Sequence, residues 1–329
     1  MKDLIYFFGA ILAVLLVVGV LNFMVDPTGN RHYLRDWSLK TGDVYLGNNI
    51  DERLLKKQML SADTDSSIFI LGASRVMLWG SNFFPNEKVL NLGVTNGSSD
   101  DYLYFLEHLA GRTNIDRVII DLGPWTFPKD PSRDQYKVFY QKTWRDHWNA
   151  FKDLFTYAIL RESFYTITKN QSVGRIMPAS ASEAEQQFGY FWDGRRHYTR
   201  ETLSTSPDIV ARDVLKWSQA ERIPDLETGV DDGKLENFCK VLNDFREQTH
   251  AKIELVSLPL NPIAVRSIRD RRLGYTVESL EKNVNEKVAK SCKIPVQDFE
   301  NLCPEIEFMD GLHPRESCLT RIMNHLAKN

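Results

Sequence analysis

The sequence predicts a three-layer α/β/α domain with a parallel central sheet, carried behind one membrane-spanning helix. Three observations lead to this. Leu4–Val25 is apolar on every face, short β-rich apolar runs recur along the rest of the chain, and stretches of helical period fall between those runs. Parallel strands covered by helices on both faces read as near-continuous apolar runs, and strand–helix alternation is the pattern of layered α/β domains.

The N-terminal run, LIYFFGAILAVLLVVGVLNFMV, holds no charge, and Asn22 is its most polar residue. At about 1.5 Å of rise per residue it can cross a hydrocarbon core of about 30 Å. A cleaved signal peptide is the competing reading. The run exceeds a usual signal core, and no A-x-A-like cleavage site follows it. Asp26-Pro27-Thr28-Gly29-Asn30 comes next, a turn-forming cluster that suits an exit from the bilayer. Residues 1–25 are therefore expected to form the anchor and 26–329 the domain. Flanking charge orients the helix weakly, with Lys2 before it and Arg31 and Arg35 after it.

Five runs read as core strands: Ser67–Leu71, Lys88–Leu92, Arg117–Leu122, Lys252–Leu258 and Ile294–Phe299. Helical patterns cover Ser98–Gly111, where Ser98 and Asp101 offer a capping box, then Leu235–Gln248, Val277–Ser291 and Arg315–Ala327. The stretch from about 128 to 223 breaks the rhythm and is longer than a crossover needs, so it reads as an inserted, partly helical cap or subdomain. Tyr140, Trp144, Trp148, Phe151, Phe155 and Tyr157 crowd its first part; they can line a pocket, meet lipid or form the insert's own core. Asp193-Gly194 marks a short hairpin within it.

Composition excludes some classes. A net charge of −3, with Lys and Arg scattered, argues against nucleic-acid binding. Cys239, Cys292, Cys303 and Cys318 lack C-x-x-C spacing, and the histidines lack ligand spacing with carboxylates, so neither structural zinc nor a metal-dependent phosphatase is expected. In an extracytoplasmic domain one disulfide among these cysteines is expected, with free buried thiols the alternative.

Candidate chemistry gathers at strand ends. In Ile70-Leu-Gly-Ala-Ser-Arg75, Ser74 follows the first core strand at the edge where parallel sheets bind ligands; a helix-capping serine is the plainer alternative. Phe308-Met-Asp-Gly-Leu-His-Pro314 supplies Asp310 and His313, a carboxylate and an imidazole that can together deprotonate a serine or can simply flank the last helix. Gly93, in Asn91-Leu-Gly93, can bring a backbone N–H close to a ligand beside that of Ser74. Such oxyanion donors contribute roughly 3 kcal/mol each.

These blocks resemble the SGNH or GDSL-like hydrolase superfamily: GASR with Ser74, NLG with Gly93, and DGLHP with Asp310 and His313. The resemblance implies a flavodoxin-like sheet, no cofactor and no metal. It also implies Ser74 as nucleophile, His313 as base, Asp310 as its orienting partner, and the N–H groups of Ser74 and Gly93 as oxyanion donors. One block departs from the superfamily pattern, because Gly123-Pro124-Trp125 puts tryptophan where an asparagine usually completes the oxyanion hole. Arg75, Asn91, Asn96 and Trp125 are the candidates for an extra oxyanion or substrate contact. The N-terminal helix, the DP-x-G turn, GASR and DGLH together are similar to membrane-anchored proteins of alginate O-acetylation and to the DltD-type proteins of lipoteichoic-acid D-alanylation. That likeness implies a domain outside the cytoplasm, an envelope glycan or lipid-linked acyl donor, and a multi-pass acyltransferase partner. The implied function is transfer or hydrolysis of a small acyl group, with a non-catalytic glycan-binding or scaffold role as the alternative.

Overall fold

The computed structural model describes residues 2–25, 41–46, 51–129, 152, 154–168, 175–182, 184–219, 229–271 and 275–326. Helix α1 (Lys2–Val25) is followed by β1 (Asp43–Leu46), α2 (Glu52–Ala62), β2 (Ile68–Leu71), β3 (Val89–Asn91), α3 (Ser99–Leu109) and β4 (Arg117–Asp121). Then come α4 (Tyr157–Thr168), β5 (Arg175–Pro178), β6 (Gly189–Phe191), β7 (Arg196–His197), α5 (Arg200–Ser204) and α6 (Pro207–Ser218). The chain closes with α7 (Asp232–Thr249), β8 (Lys252–Ser257), α8 (Pro262–Asp270), α9 (Val277–Cys292), β9 (Val296–Asp298) and α10 (Glu316–Leu326). The exit turn at Asp26–Asn30 and the aromatics Tyr140, Trp144, Trp148 and Phe151 lie outside the described residues.

Among the described residues, five strands form a parallel sheet in the order β3-β2-β4-β8-β9. This is a flavodoxin-like doubly wound order, with its switch point between β2 and β4. The five predicted strand runs supply these strands. Alternation along them divides the core in two. Phe69, Leu71, Leu90, Val118, Ile120 and Leu255 face one layer, with α2, α3, α7 and α9 over them. Ile68, Ile70, Val89, Ile119 and Val256 face the other, where Trp79, Phe308 and the apolar side of α10 pack. Both faces are dry over β2 and most of β4 and β8, which is why these strands read as largely apolar runs, whereas the edge strand β9 is partly exposed.

Local chemistry sets the helix ends. Ser98 and Asp101 close a capping box at α3, and Asp101 also takes two bonds from the buried Arg53 of α2, at 2.7 and 3.0 Å. Helices α7 and α9 stop on left-handed residues, His250 and Lys293. Helix α1 has 24 residues, about 36 Å of helix, and is long and apolar enough to cross a membrane. This supports a single anchored segment.

The long connection between β4 and β8 does more than cap the domain. Its strands β5, β6 and β7 join β1, which precedes the parallel sheet, in a second sheet of order β5-β1-β6-β7. The Asp193-Gly194 turn links β6 to β7, with Gly194 at φ +79°. A Cβ there would collide with the Asn91 carbonyl, so only glycine fits.

All four cysteines are paired. Cys239–Cys292 joins α7 to α9, and Cys303–Cys318 joins the segment after β9 to α10. Two bridges thus replace the single one expected, because Cys239, distant in sequence, comes within 4.6 Å (Cα–Cα) of Cys292 where α7 and α9 pack side by side. A loop of 53 residues closed this way stabilises by about 4 kcal/mol in the chain-entropy picture. Denatured, unreduced protein should therefore release no thiol to a thiol-specific reagent, and four per chain after reduction. Two or more free thiols before reduction would contradict the pairing.

Candidate functional site

Ser74 leaves the C-terminal end of β2 through Gly72-Ala73 and opens a single 3-10 turn, Ser74–Val76. The bend is crowded: a Cβ on Gly72 would lie 2.8 Å from Val76 Cγ2 and 3.0 Å from Asp121 Cβ. On the far side of the sequence, Phe308 and Pro314 form an antiparallel bridge, and the Met309 N–H donates to the His313 carbonyl at 2.8 Å. This closes a tight loop over Asp310–His313. Asp310 Oδ1 accepts the N–H groups of Leu312 and His313, at 2.7 and 2.8 Å. Its Oδ2 lies 2.7 Å from His313 Nδ1, and His313 Nε2 lies 2.7 Å from Ser74 Oγ.

A carboxylate at Nδ1 selects the tautomer protonated there and leaves Nε2 to accept the serine hydroxyl. Burial pushes the Asp310 carboxyl up, but the His313 ring and the Leu312 and His313 N–H groups outweigh it and hold it below the ordinary aspartate value. Ser74 is half-buried, so the relay is reachable from solvent.

Asn261 anchors this loop, and sequence reasoning missed it. It is fully buried after β8, caps α8 through the Ile263 N–H at 2.9 Å, and donates from its own N–H to the Gly311 carbonyl at 3.1 Å and from Nδ2 to the Asp310 carbonyl at 3.2 Å. The readable signal was Asn-Pro directly after an apolar strand, a helix-start pattern on the same sheet edge as Ser74.

Ser74, Asp310 and His313 open on a cavity of about 500 Å³. Thr95 and Asn96 line it from the loop after β3, and Phe188, Arg196 and Tyr198 from the β6–β7 hairpin. Asn96 is exposed and left-handed, at φ +53°. The Arg196 guanidinium sits 5.7 Å from the Phe188 ring and 5.2 Å from that of Tyr198, and Nη1 reaches Thr95 Oγ1 at 3.4 Å. Burial pushes the Tyr198 phenol up to about 12. The string Gly189–Tyr198 was conspicuous in the sequence, but nothing local tells that its hairpin folds against the β2 and β3 edge.

The other candidates turn away from the cavity. Arg75 is buried under the edge. It binds Asp121 through Nε at 3.2 Å and Nη2 at 2.9 Å, and donates to the carbonyls of Leu258 and Leu122 at 2.5 and 2.8 Å. Trp125, also buried, lays its ring 4.7 Å from that guanidinium. Asn91 donates to the carbonyls of Val76 and Trp79 at 2.7 and 2.6 Å, and its Oδ1 accepts the Gly93 N–H at 2.8 Å. The Gly93 N–H is thereby engaged within the fold. Cys303, Glu307 and Cys318 bring ligand-type atoms within 4.8 Å of one another, but both sulfurs belong to a disulfide.

The sequence matches no family model and no curated protein.

Glu281 of α9 lies 3.5 Å from Arg75 Nη1, and its carboxyl oxygens have no hydrogen-bond donor among the described residues. Burial, only partly offset by Arg75, raises its pKa from 4.5 to about 8. The folded state then keeps a proton that the unfolded chain releases, so this group lowers stability progressively as pH rises from about 4.5 to about 8. Glu281→Gln should remove that fall: subtracting its stability–pH curve, measured by denaturant unfolding, from the wild-type curve should leave a decline across this window. Parallel curves would contradict a buried, protonated Glu281.

Proposed function

We propose that this chain is a membrane-anchored, serine-dependent acyltransferase or esterase of the SGNH-hydrolase type. Its target would be an O-acetyl or other small acyl group on a cell-envelope polysaccharide. The observation that carries this reading is the relay Ser74–His313–Asp310, with both links at 2.7 Å and its serine end open to a cavity.

In this mechanism His313 Nε2 takes the Ser74 proton as Oγ attacks the ester carbonyl. Asp310 steadies the imidazolium that forms, and the negative charge gathers on the former carbonyl oxygen. Collapse expels the alcohol, which takes the proton from His313, and leaves an acyl-serine. Water then gives hydrolysis, whereas a sugar hydroxyl gives transfer. The Ser74 N–H and the Asn96 side chain are the proposed oxyanion donors. Gly93 can join them only by giving up its bond to Asn91 Oδ1.

The two disulfides support an oxidising compartment for the domain, on the outer side of the membrane. There a lipid-linked acyl donor or a multi-pass acyltransferase would be its neighbour. The alternative role, a glycan-binding or scaffold subunit of such a system, draws on the engaged Gly93 N–H and on Trp125 in the usual asparagine position.

Two experiments separate these readings. The full chain in detergent should turn over acetyl esters and take a fluorophosphonate label on Ser74. Ser74→Ala should lose the label and about 10³-fold or more in kcat/KM; equal turnover in the two proteins, or no label on the wild type, would sink the serine mechanism. Asn96→Gly keeps the left-handed backbone while removing the amide. It should lower kcat roughly a hundredfold with little change in KM, as loss of one oxyanion donor does. An unchanged kcat would remove Asn96 from the mechanism.

A further inference from the structure

Helix α1 does not stand alone. Along its last two turns Val18, Gly19, Leu21, Asn22 and Val25 are wholly or partly covered, while Ile11–Val17 stays exposed. The cover comes from the insert, from Leu154 onward into α4. Gly19 leaves room for the Phe155 ring, since a Cβ there would lie 2.5 Å from Phe155 Cε1. Asn22, fully buried, donates from Nδ2 to the Leu154 carbonyl at 2.6 Å and accepts the Ser163 hydroxyl on Oδ1 at 2.8 Å. A small residue for close approach and a polar residue satisfied across the helix pair are the devices by which helices associate in a membrane. Asn22 lies three residues before the end of α1, about 4.5 Å along the axis. The contact therefore falls inside the apolar span Tyr6–Val25 rather than beyond it.

The arc of α4 next to Ser163 carries exposed apolar side chains. Tyr157, Phe164 and Ile167 are 78%, 53% and 51% exposed. At 100° per residue they fall with exposed Arg161 within an arc of about 120°. A water-facing helix would not gather two aromatics and an isoleucine there. Val20, Phe23 and Met24 in the last two turns of α1 are exposed as well.

We propose that α4 is a second membrane-seated element: it lies against the outer end of the anchor and presents Tyr157, Phe164 and Ile167 to lipid at the boundary of headgroups and acyl chains. Exposed Arg161 lies on the same arc, and a long charged side chain suits that boundary. The anchor is then retained in the mature protein, because its removal would strip Asn22 from Leu154 and Ser163. This inference rests on α1 being a bilayer anchor and is independent of the serine chemistry.

The test uses the full chain in nanodiscs of phosphatidylcholine and phosphatidylglycerol, with one nitroxide introduced at a time. All native cysteines are paired, so Phe164→Cys and Ile167→Cys can be labelled selectively. Leu12→Cys, on exposed mid-α1, and Lys240→Cys, on the exposed side of α7, are the references. Labels at 164 and 167 should collide with oxygen more and with a water-soluble nickel chelate less than the label at 240, shifting toward the values at 12. Nickel accessibility matching position 240, with position 12 still in lipid, would overturn the proposal and leave the anchor standing. Exclusion of both reagents would also overturn it, since protein would then cover the face. A water-exposed position 12 would remove anchor and proposal together.

Discussion

One guanidinium, buried directly beneath Ser74, holds the working end of the molecule together. Arg75 reaches from the end of β2 to Asp121 and Leu122 at the end of β4, to Leu258 after β8, and toward Glu281 on α9. A charge this deep is costly unless it is paired and fully hydrogen-bonded, and stripping one partner from such a pair typically costs about 3–5 kcal/mol. Here the partners are the ends of neighbouring strands, so satisfying the charge fixes those ends relative to one another. Burial pushes the Asp121 carboxyl up against the pull of Arg75. Burial pushes the Glu281 carboxyl up as well, to about 8, against the pull of Arg75. Ser74 inherits its position from this arrangement.

A second buried basic group does the same for the cavity wall. Lys56 of α2 is fully buried and donates to the carbonyls of Asn91 and Gly194. Loss of hydration drops its pKa from 10.5 to about 7 against the pull of Glu52 and Asp193. It pins the β6–β7 turn to the end of β3, and Asp193 adds bonds to the Ser81 N–H and hydroxyl at 2.8 and 2.7 Å. Arg196, Phe188 and Tyr198 can therefore face the serine although they come from an insertion remote from it. These polar groups join the two sheets alongside Tyr45 and Tyr190, which pack into the apolar core of the parallel sheet, and a buried polar join fixes one geometry.

The sequence carried the parallel sheet well, because β2, β3, most of β4 and the second half of β8 are dry on both sides, with only the short edge strand β9 partly exposed. It also carried Ser74, Asp310 and His313, since each sits where a strand end or a tight loop must present a side chain. Of the second sheet only the Asp193-Gly194 hairpin was legible. Strand β1 is four residues long and its partners lie more than a hundred residues away, so no local period marks the pairing. Asn261 was hidden for a different reason: its role is to hold backbone carbonyls of another loop, and such work leaves no pattern beyond a helix cap. The second disulfide escaped notice because Cys239 is close to Cys292 only once α7 and α9 pack.

Trp125 shows how one structural demand redirects the rest of a site. Its indole covers the Arg75 guanidinium, and Gly123 must be bare to let it, since a Cβ there would sit 2.8 Å from the ring and 3.0 Å from Arg75 Nη2. An asparagine at 125 would leave that guanidinium without its cover, so on the proposed reading the amide of the oxyanion hole comes from elsewhere. The loop after β3 is the available source. Gly97 packs so closely on Gly72 that a Cβ would lie 2.7 Å from the Gly72 carbonyl oxygen, which ties this loop to the bend bearing Ser74. Asn96, just before it, occupies the left-handed region that asparagine tolerates better than most residues and that few side chains enter without reason. On the proposed reading, that backbone conformation aims an amide at the cavity from a loop already locked to the nucleophile. The buried tryptophan and the left-handed asparagine are then two parts of one solution to the same crowding.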